Sequence, residues 1–285
     1  MSYRMAACQM NTQADKAANL RTAERLIDEA AAAGADIVAL PEMFNIYGTK
    51  EEIRGGREPE GGPTSEFLSR LAQRHGIYIH GGSIPIAIPG SDKSWNATYV
   101  FDPAGAMIAS YRKIHLFDID YSGQVEANES SRYEAGTEQV AFECKHGVLG
   151  LTICYDVRFP ELYRALVIAG ARVVFQPSAF TQYTGQHHWE ALIRVRAIEN
   201  QIYMVSPAQV GMHAGDQECY GHTMIVDPWG EVLACLQEGE GVALADIDYD
   251  HQDRVRAGLP VLAHRRPAVY TGEVRIEQVS DAPTV

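Results

Sequence analysis

No two of the cysteines form a CxxC pair, and the five present (Cys8, Cys144, Cys154, Cys219 and Cys235) are too scattered for a small disulfide scaffold. This argues against a zinc knuckle or a thioredoxin-like site and points to free thiols in a reducing compartment, the cytoplasm. No apolar run is long enough to span a bilayer, and residues 1–10 lack the basic-then-apolar pattern of a secretory leader. Positive charge is scarce: 24 Lys and Arg stand against 37 Asp and Glu, a formal net charge of -13. Such a surface disfavours nucleic acid and anionic membranes as partners. A small molecule remains the expected ligand, because a single pocket can still be locally basic. No low-complexity stretch, charge block or linker divides the 285 residues. We therefore expect one domain over residues 1–272 and a tail at 273–285, which forms an exposed end or an arm that contacts a partner.

What is present patterns as an α/β protein. Residues 3–9 (YRMAACQ) read as a buried strand. Residues 15–33 read as a helix capped by Asp15, with Leu20, Ala23, Ile27 and Ala30 on one face. Gly34 stops the helix, and Asp36 to Leu40 forms a second strand ending at Pro41. This is a β-α-β unit with parallel pairing. The phrase returns: AGADIVALPEMF (33–44) and AGARVVFQPSAF (169–180) share Gly, Pro and Phe, each 136 residues apart. The later copy is likewise preceded by a strand at 148–153 and a helix at 160–168. FDPAGAMIA (101–109) and VDPWGEVLA (226–234) are a second echo, each a strand, an Asp-Pro-x-Gly turn and a strand. Two echoes in the same order imply two similar halves, each a sheet with helices on one side. Burying the bare sheet faces together gives a four-layer αββα sandwich.

Cys154 lies where an apolar strand gives way to a turn in VLGLTICYDVRFPEL, a place suited to a nucleophile. The other four cysteines read as structural thiols. A thiol needs a base, because the thiolate is the reactive form, and no histidine is spaced to serve. Glu42, after the second strand, reaches a strand-end rim like that of Cys154, although a solvated turn carboxylate reads equally well there. Lys113 follows a hairpin strand at 105–111. It would stabilise an oxyanion if near the thiol, but pattern alone favours a surface lysine beside Arg112.

Taken together, LPEMF, YRKIHLFD and GLTICYDVRFPEL, in this order, resemble the nitrilase superfamily of carbon–nitrogen hydrolases, from Tyr3 to about Tyr270. That family's fold is the αββα sandwich. The resemblance implies a Glu-Lys-Cys triad at Glu42, Lys113 and Cys154, with Glu129 of NESSRYEAG as a second glutamate that positions substrate. It also implies an oxyanion site from Lys113 and the N–H of Tyr155, and a thioester intermediate. Two neighbouring carboxylates repel, and an ammonium between them offsets that repulsion.

PSAFTQYTGQHHWEALIRVRAIE, YGHTMIVDPWG and PVLAHRRPAVY, with HLFDIDYSG and GGSIPI, resemble the branch that holds deaminated-glutathione amidase and omega-amidase, the former slightly favoured. Such enzymes act on the amide of a small carboxylate, and the resemblance implies release of ammonia from a primary amide. Arg158, four residues after Cys154, is either the anchor for the remote carboxylate or a partner of Glu161 or Asp156. Phe180 and Thr184 line the pocket by resemblance, and dimer-based homo-oligomers are usual. The loop 45–62 is polar and could gate the pocket. HHWE (187–190) lacks a zinc-type histidine pair, so residues 186–199 are expected to form a helix packing Trp189, Leu192 and Ile193 inward, and no cofactor is expected. The alternatives are a nitrilase acting on C≡N, an N-carbamoyl-amine hydrolase, and last a non-catalytic scaffold.

Overall fold

A computed structural model describes residues 2–276 apart from 122, 124, 215 and 216; residues 277–285 of the expected tail lie outside the described residues. Asp15 accepts the N–H of Ala18 and starts a helix at Lys16–Ala32, whose buried Ala23, Leu26, Ile27 and Ala30 form the stripe expected from sequence. The chain returns through Gly34, at φ 82°, into the strand Ile37–Ala39, which pairs parallel with Ser2–Gln9. The strands Gly241–Asp248, Ser2–Gln9, Ile37–Ala39, Tyr78–His80 and Ser94–Phe101 lie side by side, and Ile84–Ala87 and Met107–Arg112 both pair with Ser94–Phe101. The second sheet runs Val232–Leu236, Thr223–Val226, Tyr203–Ser206, Val173–Phe175, Gly147–Leu151 and Ala141–Cys144.

The strand pleat explains the layering. In Ser2–Gln9, Tyr3, Met5 and Ala7 join the core between the sheets, whereas Ala6 and Cys8 join the core under Lys16–Ala32 and the helix Pro63–His75. His80 stacks on Phe175 across the inner layer, with ring centroids 4.5 Å apart, and the Tyr203 hydroxyl donates to the carbonyl of Asp248 on the other sheet. On the far face of the second sheet, Gly150 lets Leu166 of the helix Pro160–Ile168 approach closely. The long helix Gln182–Asn200 buries Trp189 and Ile193 as expected, with Leu192 partly buried. The four layers are therefore helix, sheet, sheet, helix.

Both echoes hold at the level of geometry. Ile37–Ala39 and Val173–Phe175 occupy equivalent places, each reached through a positive-φ glycine. Each Asp-Pro-x-Gly hairpin carries a bulge at the same point, Val100/Phe101 in one and Ile225/Val226 in the other. Each also uses its aspartate in the same way: Asp102 Oδ1 accepts the N–H groups of Ala104 and Ala106, and Asp227 Oδ1 those of Trp229 and Glu231. No helix among the described residues is long and apolar enough to cross a membrane.

One expectation is corrected. The stretch 45–62 is not all loop: Thr49 and Glu52 make a capping box that starts a helix at Lys50–Gly56. The pattern T-x-x-E at 49–52 is its signal in the sequence.

Candidate active site

Parallel strands present their C-terminal ends on one rim, and both halves contribute to it. Glu42 lies three residues past Ile37–Ala39 and Cys154 three past Gly147–Leu151. Lys113 immediately follows Met107–Arg112. Along that strand Tyr111 is buried, Arg112 exposed and Lys113 buried, so the alternation turns the lysine inward. Glu42, Asn96, Lys113, Glu129 and Cys154 line one cavity of about 740 Å³.

The Lys113 ammonium is the hub. Its Nζ donates to Glu42 Oε1 at 3.2 Å and to Glu129 Oε1 and Oε2 at 2.9 and 2.8 Å. Glu42 is fixed further by Asn96 Nδ2 on Oε1 (2.8 Å) and by the N–H of Ala179, from the second half, on Oε2 (2.8 Å). Glu129 also accepts the N–H of Phe117 at 2.7 Å. Every polar atom of a lysine only 1% exposed is thus engaged, as a buried charge requires. Burial alone would lower the affinity of this amine for its proton, but Glu129 and Glu42 outweigh it and hold the pKa well above the usual lysine range.

Cys154 has φ 47°, a left-handed conformation costly for a residue with a Cβ, and Met43, next to Glu42, has φ 55°. Both are clamped. The Cys154 N–H donates to the carbonyl of Pro177 and its carbonyl accepts Gln176 Nε2, while the Met43 N–H donates to Ser83 Oγ. The turn Cys154–Arg158 is pinned by Asp156, which is fully buried and accepts four hydrogen bonds: Ile153 N–H, Tyr111 Oη–H, His115 N–H and His115 Nδ1. Tyr111 and His115 flank Lys113 by two residues on either side, so one carboxylate ties the thiol turn to the lysine segment. Burial pushes the Cys154 thiol well above its ordinary range; the charge of Glu42 raises it further and that of Lys113 opposes. The resting thiol is protonated at neutral pH, and its proton needs an acceptor.

With that geometry in place, a family model for carbon-nitrogen hydrolases matches residues 4–257. The chain belongs to the carbon–nitrogen hydrolase family. It is 42% identical over 266 residues to the deaminated glutathione amidase of Synechocystis sp., covering 92% of this chain and 98% of that one. It is 40% identical over 272 residues to omega-amidase NIT2 of Xenopus tropicalis, covering 95% and 98%. The crystal structure of the C. elegans NitFhit protein superposes with a TM-score of 0.89 at 39% identity, covering 95% of this chain and 66% of that one. The protein is therefore a non-peptide C–N hydrolase of the nitrilase superfamily.

In this carbon–nitrogen hydrolase, the four expected residues Glu42, Lys113, Cys154 and Glu129 converge on one cavity. The four expected substrate contacts do not share that lining. Arg158 sits over the rings of Phe180 and Tyr155 and donates to His188 Nδ1, because the short 3₁₀ turn carries it around from the thiol. Phe180 packs on Trp189, and Thr184 is buried in the first turn of Gln182–Asn200, bonded to the capping Thr181. The Tyr155 ring meets Phe117 and Phe159 edge-on, while its N–H lies in a first turn that gives it no intrahelical partner. The cavity is lined instead by Thr181 and Tyr183 from this region, by Tyr47 and Lys50, and by Arg132 and Tyr133. Asn96 and Asp156 were not read from sequence. An asparagine inside the buried strand SWNATYVF was the available signal for the first. Among the described residues, no group of three or more His, Cys, Asp or Glu side chains could hold a metal ion.

Proposed function

We propose that the protein hydrolyses the amide of a small carboxylate, of the deaminated-glutathione or omega-amido-acid type, through a thioester on Cys154. The carrying observation is the buried Lys113 ammonium shared by Glu42 and Glu129 on the wall of the cavity that also holds Cys154. Glu42 accepts the thiol proton as Sγ attacks the amide carbon. Lys113 and the N–H of Tyr155 stabilise the oxyanion. The C–N bond breaks, and the nitrogen leaves with the proton returned by Glu42. Ammonia leaves a primary amide, and an amine leaves the secondary amide of a deaminated glutathione. Glu42 then deprotonates water, which attacks the thioester, releases the acid and restores the thiol. Glu129 holds Lys113 and orients it.

The relatives named above are amidases rather than nitrilases, which supports an amide substrate. They also support the carboxylate-bearing class. The reading also includes a dimer-based homo-oligomer in the cytoplasm. Exposed Val195 and Ile198 on the helix Gln182–Asn200, with Trp229 nearby in sequence to the Gly230 that touches Ile198, supply an apolar face for a second copy. Light scattering on the purified protein checks that state.

The test is acid, ammonia and amine release from deaminated glutathione, 2-oxoglutaramate, a simple aliphatic amide and a nitrile. The proposal expects turnover of one or both acid-bearing amides and none of the nitrile. Turnover of the nitrile alone, or carbon dioxide release from a carbamoyl amine, overturns it.

A further inference from the structure

We infer that Arg132 is the residue that selects the substrate's carboxylate, an inference that rests on the amidase reading above and names the substrate feature it requires. The cavity lining carries more negative than positive charge. Beyond the reacting carboxylates Glu42 and Glu129, it includes Glu51, Glu126 and Glu218. Its cations are Lys50, Lys113 and Arg132. Lys113 is buried between Glu42 and Glu129 and committed to the oxyanion at the reacting carbon, so it does not serve a remote carboxylate. Lys50 is exposed at the start of its helix, where water satisfies it.

Arg132 differs from both. It is half-buried, it has no carboxylate within ion-pair distance among the described residues, and its Nε is buried without an acceptor. A guanidinium left in that state costs free energy unless an anion meets it, and a carboxylate matches its two-pronged donor edge. The backbone explains its place. The N–H groups of Arg132 and Tyr133 both donate to the carbonyl of Glu129, so Arg132 sits one turn from the carboxylate that holds Lys113. Tyr133 packs with Met43 and Ile53, which fixes the turn against Glu42's neighbour and against the helix that carries Lys50. The acidic groups around it repel any carboxylate not seated on the guanidinium, so acids that bind elsewhere in the cavity are disfavoured. The substrate class is an amide whose acyl or amine portion carries a free carboxylate reaching from the Lys113 centre to this turn.

The experiment compares an acid-bearing amide, 2-oxoglutaramate, with a neutral amide of matched length, in the wild type and in Arg132→Met, Arg132→Lys and Arg158→Met. The acid-over-neutral ratio of kcat/KM falls about 10- to 100-fold in Arg132→Met, the range for loss of a charged hydrogen bond, and Arg132→Lys keeps part of it. A second readout needs no turnover: glutarate slows alkylation of Cys154 in the wild type and does so far less in Arg132→Met at equal folding by circular dichroism. An unchanged ratio in Arg132→Met, or a ratio that collapses only in Arg158→Met, overturns the inference. If the wild type cleaves neither of these amides nor deaminated glutathione, the amidase reading fails, and the glutarate protection still decides this one: equal protection in both proteins overturns it.

Discussion

Replacing Glu42 by Gln removes one charge and leaves the shape of the side chain, which makes it the sharpest single perturbation of this site. The carboxylate accepts three hydrogen bonds, from Asn96 Nδ2 and Lys113 Nζ on Oε1 and from the Ala179 N–H on Oε2. A carboxamide has one acceptor oxygen. With that oxygen toward Lys113 and Asn96, its NH₂ faces the Ala179 N–H and one hydrogen bond is lost, a cost of about 1–3 kcal/mol. The substitution also relieves repulsion, since two carboxylates and one ammonium become one of each. The net change in stability is small, within about 2 kcal/mol by these opposing magnitudes. Activity behaves differently. A thiol held above its ordinary range loses the group that takes its proton, and the same group is needed again when water attacks the thioester. General-base loss is worth about 10²- to 10⁴-fold, and service in both half-reactions places kcat/KM near the upper end, a barrier increase of about 4–5 kcal/mol. The assay is kcat/KM on the best amide from the panel, beside a urea unfolding curve of the same preparation. A Glu42→Gln protein that unfolds at the wild-type midpoint and keeps a tenth or more of wild-type activity refutes the assignment of Glu42 as the base.

Two more outcomes follow from the packing around the site. Asp156→Ala leaves four donors without their acceptor, two of them fully buried and the two of His115 partly so, and urea unfolding shows a loss of about 3–5 kcal/mol, the range for breaking a buried charged network. Asp156→Asn retains more stability but still lowers kcat, because one oxygen cannot hold the thiol turn and the lysine segment together. His80 is buried and neutral, its pKa lowered by burial to about 3. The unfolded chain takes up that proton below about 6.5, and the folded protein does not. His80 therefore makes unfolding easier as pH falls from about 6.5 toward 3, by about 1.4 kcal/mol per pH unit, and His80→Phe flattens that slope in pH-dependent urea titrations.

Much of the fold was legible because each half repeats its own local devices. Gly34 and Gly170 end helices at the same point, and Asp102 and Asp227 build the same hairpin turn. Such signals need only neighbours in sequence. The helix Lys50–Gly56 was equally local, written in Thr49 and Glu52, and went unread inside a polar stretch. At the site, Cys154 and Glu42 were visible as strand ends, and Lys113 was visible in hindsight as the inward position after Tyr111 and Arg112. Arg158 shows the limit of spacing. Four residues from the thiol is close along the chain, yet a tight turn directs the side chain toward Phe180 and His188. Asn96 acquires its role through Glu42 and Asp156 through Tyr111 and His115, all distant in sequence, and single-sequence pattern does not carry that pairing; Arg132 stands out only once the cavity lining is assembled.

The central claim is that the acyl group passes through the sulfur of Cys154. Its most direct test is rapid acid quench of the wild-type enzyme during turnover of a preferred amide, followed by peptide mass mapping. The account predicts an acyl adduct on the Cys154 peptide that hydroxylamine removes and that is absent, along with turnover, in Cys154→Ala. Steady amide hydrolysis by a folded Cys154→Ala protein, with no acylated peptide in the wild type, would contradict it.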